Sequence, residues 1–238
     1  MEILTAFAII GLSAVIHASF QLSISVLTLL SGHALGKSKS HAKLLRLSTG
    51  YIFGAGVMTM LLISTLALIF TNTLNDSLMP LAWVITCGLL LGVGIAVWLF
   101  YYEKKAGTSI WVPRDVATHL SERTKATKRS AEAFGLGLTS VIGELLFIIA
   151  PLTVSALALI YLPLGWQLLG IFTYTIVSLL PLLIVMATLG GGRKISHIQK
   201  WRERNKRFLQ FAAGSGLVVL AGFIYAYQVL TLLPGVPS

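Results

Sequence analysis

Apolar residues run along this chain in six long stretches, roughly Ile3–Leu30, Leu47–Phe70, Pro80–Tyr102, Phe134–Tyr161, Trp166–Leu189 and Phe208–Leu233. Each reaches the ~20 residues that a helix needs to cross the hydrocarbon core of a bilayer. The stretches are continuous rather than alternating, and far longer than a barrel strand, which excludes a membrane β-barrel. The pattern predicts an all-α integral membrane protein with six transmembrane helices in a single membrane domain, residues 1–238. Hydrophobic residues make up 56% of the chain and charged residues 11%, and mean hydropathy is +0.86. Soluble domains carry about 25% charged residues, so a soluble fold is excluded as well.

The net charge of +10 would suggest nucleic acid in a soluble chain. Here its distribution points elsewhere. All 18 Lys and Arg lie in Lys37–Arg46, Lys104–Arg129 and Arg193–Arg207, the connections after the first, third and fifth stretches. The connections Thr71–Met79 and Leu162–Gly165 have none. Basic connections stay cytoplasmic, so both termini are expected outside, in the plasma membrane of a bacterium or archaeon. Anionic lipid headgroups are the expected partners of the basic loops, and nucleic acid is not. In the long loop 103–133, Pro113 and Asp115 are placed to start a short helix. Lys200, Arg204 and Arg207 would lie along one side of an interfacial helix. Met1-Glu2 offers no basic n-region and the first stretch is too long for an h-region, so no cleavable signal peptide is expected.

The two halves, approximately 1–102 and 134–233, align on each other. Gly11-Leu-Ser-Ala-Val-Ile16 matches Gly137-Leu-Thr-Ser-Val-Ile142, and the same offset sets Gly88 on Gly214 and Tyr101 on Tyr227. The second and fifth stretches agree more loosely, Gly50-Tyr-Ile-Phe against Gly170-Ile-Phe-Thr. Three spans per half is an odd number, so the second half enters the membrane upside down. Such 3+3 inverted repeats recur in transporters, with the site at the midplane between them.

The Gly11-Leu-Ser lead, the Ser31-Gly32 exit, the run Phe134-Gly-Leu-Gly-Leu-Thr-Ser-Val-Ile-Gly143 and the fifth stretch Leu169–Pro181 resemble the transmembrane module of the DsbD/CcdA thiol-reductant transporters. That family lies within the wider superfamily of LysE-type exporters, and its members in cytochrome c biogenesis move reducing equivalents through paired cysteines. Matched residue by residue, Ala18-Ser19 and Ser140-Val141 stand where the family has its two Pro-Cys pairs. A related branch places a His in the first span, where His17 matches. Thiol–disulfide exchange needs a thiolate, and Cys87, the sole cysteine, falls in the third stretch. The resemblance therefore implies a member without the family's redox chemistry: either a transporter of another solute, or a non-catalytic scaffold retained for a membrane or cytoplasmic protein partner.

Glu144 is the one acidic residue deep within a stretch. A charge at that depth costs roughly 2.5–3.5 kcal/mol on insertion scales and turns toward the protein interior. At helical spacing Ser140, Glu144, Pro151 and Ser155 share a face, as do His17, Gln21, Ser25 and Thr28 on the first stretch. The candidate proton or substrate site is Glu144 with His17, Gln21, Ser19 and Ser140, and Pro151 and Pro181 are candidate gating kinks. The alternative for Glu144 and His17 is hydrogen bonding between neighbouring helices. Gly50-x-x-x-Gly54 and Gly88-x-x-x-Gly92 are expected to pack helices of one chain together. Gly32–Ser38 lacks one residue of a phosphate-binding loop. His33 and His41 have no further ligand beside them. No metal, no cofactor and no enzymatic reaction are expected, and the pattern predicts a small-solute or ion transporter.

Overall fold

The computed structural model describes residues 1–20, 24–30, 41–101, 114–191 and 195–230. Its elements are α1 (Ile3–Ala18), α2 (24–30), α3 (His41–Thr73), α4 (Met79–Phe100), α5 (Arg114–Ala126), α6 (Ser130–Leu159), α7 (Leu164–Gly190) and α8 (Ile195–Ile224), the last continuing into a π turn at Tyr225–Val229. Among the described residues there is no strand. Five helices, α3, α4, α6, α7 and α8, are long and apolar enough to cross a membrane. The protein is an all-α, polytopic membrane protein.

Five of the six expected spans are met by these long helices, and the structure departs from expectation in two places. The first stretch is not one helix: α1 stops at Ala18, Ser19 and Phe20 lie outside it, and residues 24–30 form α2. The Ser19 hydroxyl donates to the Ile16 carbonyl at 2.6 Å and its amide to Val15 and Ile16, closing the last turn. Phe20 is then held between Tyr101 and Phe147, with ring centroids 5.5 and 5.8 Å away. At 16 residues, α1 is only about 24 Å long. The second change is at Gly190–Arg207, expected as a connection with an interfacial helix of its own: from Ile195 it forms the opening turns of α8, which runs unbroken into the sixth stretch. The short helix expected after Pro113 is α5.

The helix α6 is the centre of the bundle. In its most apolar stretch 67% of residues are buried, against 33% in each of the other four long helices. It packs on α3, α1 and α4, while α7 packs on α1 and α3, and α8 on α4 and α1. Glycine makes the tightest of these contacts. A Cβ on Gly54 would overlap the Phe134 carbonyl, one on Gly137 the Tyr51 carbonyl, and one on Gly50 would sit 2.8 Å from the Ser130 oxygen. The Gly50-x-x-x-Gly54 face thus seats α3 on α6 at backbone contact. The second glycine pair behaves differently. Gly88 and Gly92 meet nothing within 4 Å, and the α4–α8 seam is made by Gly94 against Gly214 instead. The Trp98 indole covers Gly214 and donates to the Phe211 carbonyl at 3.2 Å.

The bundle has two chemically different poles. One gathers the starts of α1, α4 and α7: Phe7 meets Trp166 edge to face, and the Trp83 indole donates to the Tyr161 hydroxyl at 3.2 Å. At the other, Gly190 lies against Leu45, and the described Lys and Arg residues all belong to the helix ends gathered there. Between the poles, exposed side chains such as Phe53, Leu61, Ile85, Phe172 and Val219 form the apolar belt that a bilayer requires.

The glycine contacts make a direct prediction. Gly54→Ala and Gly137→Ala press a methyl group onto backbone that cannot rotate away, and should lower stability by about 1–3 kcal/mol. Gly88→Ala has open space and should be neutral or slightly stabilising. Thermal unfolding in mild detergent, followed by size-exclusion of the folded fraction, orders the three.

Candidate functional site

Four polar side chains buried in the membrane region, His17, Thr59, Glu144 and Ser178, meet where α1, α3, α6 and α7 cross. A cavity of about 20 Å³ lies there, room for about one water molecule. His17 at the end of α1, Thr59 of α3, Glu144 of α6 and Ser178 and Pro181 of α7 all line it, and Ala18, Ile24 and Val141 complete part of its wall. Glu144 is 2% exposed and His17 6%. The two candidate titratable groups of the sequence, 127 residues apart, are thus brought to one chamber.

Local structure places each group. Glu144 projects inward because the α3–α6 glycine contact brings Ala55 and Thr59 against the same face of α6. His17 occupies the last turn of α1, and its Nδ1 lies 3.0 Å from the Tyr174 hydroxyl of α7. The rings are tilted by 50° with centroids 5.6 Å apart. Thr59 and Ser178 satisfy their hydroxyl protons on their own helices, donating to the Ala55 and Thr175 carbonyls at 2.9 Å each. Their lone pairs remain able to accept. Pro181 removes one backbone donor beside the cavity, where α7 already carries Ser178 one turn earlier.

Several expected members stand elsewhere. Ser140 is fully buried but does not line the cavity: it accepts from the Tyr51 hydroxyl at 2.7 Å and donates to the Gly137 carbonyl at 2.8 Å. It braces α3 to α6. Ser19 closes the end of α1 and borders a different, larger groove. Pro151 is buried in α6 and lines neither space, so of the two candidate prolines Pro181 alone stands at the site. Ser155 is buried with no hydrogen-bond partner among the described residues and also lies off the cavity. The expected stripe of His17, Gln21, Ser25 and Thr28 required one continuous helix. With α1 ending at Ala18 the register is lost: Ser25 accepts from Arg202 at 2.8 Å and Thr28 donates to the Ser25 carbonyl. Gln21, like His33, lies outside the described residues.

Tyr51 and Thr59 did not stand out in the sequence as site residues, and Tyr174 did so only as one of several polar groups of the fifth stretch, with Thr173, Thr175 and Ser178. A fully buried tyrosine in an apolar helix needs a partner for its hydroxyl, and that signal was available for both tyrosines. Cys87 is buried on the α4–α8 seam, its thiol 3.7 Å from the Ala221 carbonyl, and takes no part in the chamber. Among the described residues, no group of three His, Cys, Asp or Glu is placed to hold a metal ion. No family model matches the chain, and neither does any curated protein or solved structure.

The His17–Tyr174 bond is the contact that ties α1 to α7 at the chamber. His17→Ala and Tyr174→Phe should each destabilise the protein. In a double-mutant cycle on thermal unfolding, the pair should show coupling of about 0.5–1.5 kcal/mol. Additive effects would show that the bond contributes nothing.

Proposed function

We propose that this protein is a transporter of an ion or small solute, with Glu144 taking up and releasing a proton as two inverted halves rock about the chamber. The observation that carries the reading is the burial of Glu144 and His17 at one water-sized cavity inside the bundle. An ionisable group at membrane depth marks a functional path by default. A chamber of this size admits a proton, a water or a small ion while closed.

The arrangement of helices supports the inverted halves. Exchanging α1 with α6, α3 with α7 and α4 with α8 turns the α3–α6 contact into α7–α1 and the α4–α6 contact into α8–α1. The pairs α1–α6, α3–α7 and α4–α8 map onto themselves. The two tyrosine bonds obey the same exchange. Tyr51 and Tyr174 are 123 residues apart, as are His17 and Ser140, so Tyr51–Ser140 is the counterpart of Tyr174–His17. An offset of 123 sets these two bonds on each other, against the offset of 126 in the glycine match.

Access from the basic pole is restricted by a thin wall. Ala18, Ile24 and Pro181 line both the chamber and the larger groove beside it. The end of α1 and the proline of α7 are the two backbone irregularities of the region, and both lie in that wall. Parting there would open the chamber to one side only, as alternating access requires. The resemblance to cysteine-dependent transporters adds a scaffold to this reading but no redox step, because Ser19 and Val141, at the positions matched to the two cysteines, have no thiol: Val141 lines the chamber and Ser19 the groove beside it.

Two measurements test the proposal. In proteoliposomes under an imposed membrane potential, wild-type protein should move protons, read by a trapped pH dye, and Glu144→Gln should abolish the flux. Equal rates would remove Glu144 from the mechanism. For orientation, single cysteines at Arg123, Arg204 and Asn75 in a Cys87→Ala background are labelled with an impermeant maleimide on intact cells. With the basic pole cytoplasmic, only position 75 should react, and the reverse pattern would turn the protein over.

A further inference from the structure

The groove on the far side of the Ala18–Ile24–Pro181 wall has a chemistry of its own. It lies between α1, α7 and the opening turns of α8, with a volume of about 910 Å³, the upper end of the range for small-molecule pockets. One wall is apolar, formed along α7 from Val177 to Val185 and closed by Val15 and Ile198. The other is basic: His197, Lys200, Arg202 and Arg204 line it, and among the described lining residues there is no carboxylate. Arg202 is buried, 2% exposed, with its guanidinium donating to the Ser25 hydroxyl at 2.8 Å, so one positive charge is fixed at the groove's floor.

Two features give the groove its orientation in a bilayer. Its lips, Val15 at 56% and Ile184 at 61% exposed, belong to the lipid-facing belt, so it opens sideways into the hydrocarbon. Trp201 borders the basic end and is itself half exposed, the position an interfacial tryptophan takes at headgroup level. An occupant must therefore be apolar along about 12 Å of α7 and anionic at the end beside α8. A soluble anion would leave the apolar wall uncovered, and a neutral lipid would bring no anionic group to Lys200 and Arg204.

We propose that this groove is a binding site for one anionic phospholipid, its phosphate held by Lys200 and Arg204 with Arg202 behind them, and an acyl chain lying along α7. The site stands independently of proton movement at Glu144, since none of its basic residues lines the chamber. The lipid rests against the outer face of the shared wall.

The protein is extracted in mild detergent from vesicles of phosphatidylcholine with a minor fraction of phosphatidylglycerol, and retained lipid is read by native mass spectrometry. Wild type should hold one phosphatidylglycerol in preference to phosphatidylcholine. Each basic residue at a membrane surface contributes about a five-fold preference. Lys200→Gln/Arg204→Gln, two exposed side chains whose loss leaves the core intact, should therefore reduce the preference on the order of 25-fold. Lys125→Gln/Lys128→Gln removes the same charge from the same pole outside the groove and should leave it unchanged. Ile184→Trp fills the apolar wall and should weaken retention of either lipid. A preference that survives Lys200→Gln/Arg204→Gln, or falls equally in Lys125→Gln/Lys128→Gln, would place the selectivity in general surface charge and overturn the site. Displacement of the lipid by inorganic phosphate, or retention of a stoichiometric protein in its stead, would overturn it too.

Discussion

The backbone contact between α3 and α6 is the constraint on which the rest of the interior depends. Within a bilayer the lipid tails are as apolar as the side chains, so helices gain little from hydrophobic burial against each other. Close packing and satisfied polar groups must hold them instead. Gly50, Gly54 and Gly137 remove the side chains that would keep the two helices apart. Only at that distance does the Tyr51 hydroxyl reach Ser140 and fix the rotation of α6. One turn further along, that rotation delivers Glu144 to the chamber rather than to lipid.

The opposing side of the chamber is built by other means. No glycine pair brings α1 that close to α6 or α7. Its position is set by the early end of the helix after Ala18, by Phe20 locked between Tyr101 and Phe147, and by the His17–Tyr174 bond. Tyr101 and Phe147 also meet edge to face, their centroids 4.9 Å apart, so three helical segments share one aromatic joint. The glycine-packed α3–α6 pair thus faces α1, which ends beside the chamber, and α7, which carries Pro181 there.

Charge is segregated from this apparatus. The basic residues lie at one pole, and the interior works with one carboxylic acid, one imidazole, hydroxyls and backbone carbonyls. Arg202 is the exception, reaching inward from the basic pole to Ser25. It connects the opening of α8 to α2 and gives the groove a fixed charge. The same helix therefore serves the interface with its opening turns and the α4 seam with Gly214, with Gln210 bonding the Val97 and Trp98 carbonyls at 2.8 and 2.9 Å.

The sequence by itself determined the class of molecule, its five long apolar helices, and the segregation of basic residues. These follow from composition and from the length of apolar runs, which depend only on the bilayer's thickness and its intolerance of charge. It also singled out Glu144 and His17, because ionisable residues at membrane depth are costly wherever they occur. Tertiary structure decided which polar residues share a space. Helical spacing assigned Ser140, Ser155 and Pro151 to the face of Glu144, but a face is about 100° wide and the chamber takes only part of it. The end of α1 was not legible because Ala18-Ser19-Phe20 contains neither proline nor glycine. It is held by aromatic contacts to α4 and α6, distant in the chain. The glycine seams divide on the same ground: Gly50 and Gly54 pack, whereas Gly88 and Gly92 face open space, and the spacing is identical. Spacing states what a helix can offer, and the neighbour that accepts it is fixed by the fold.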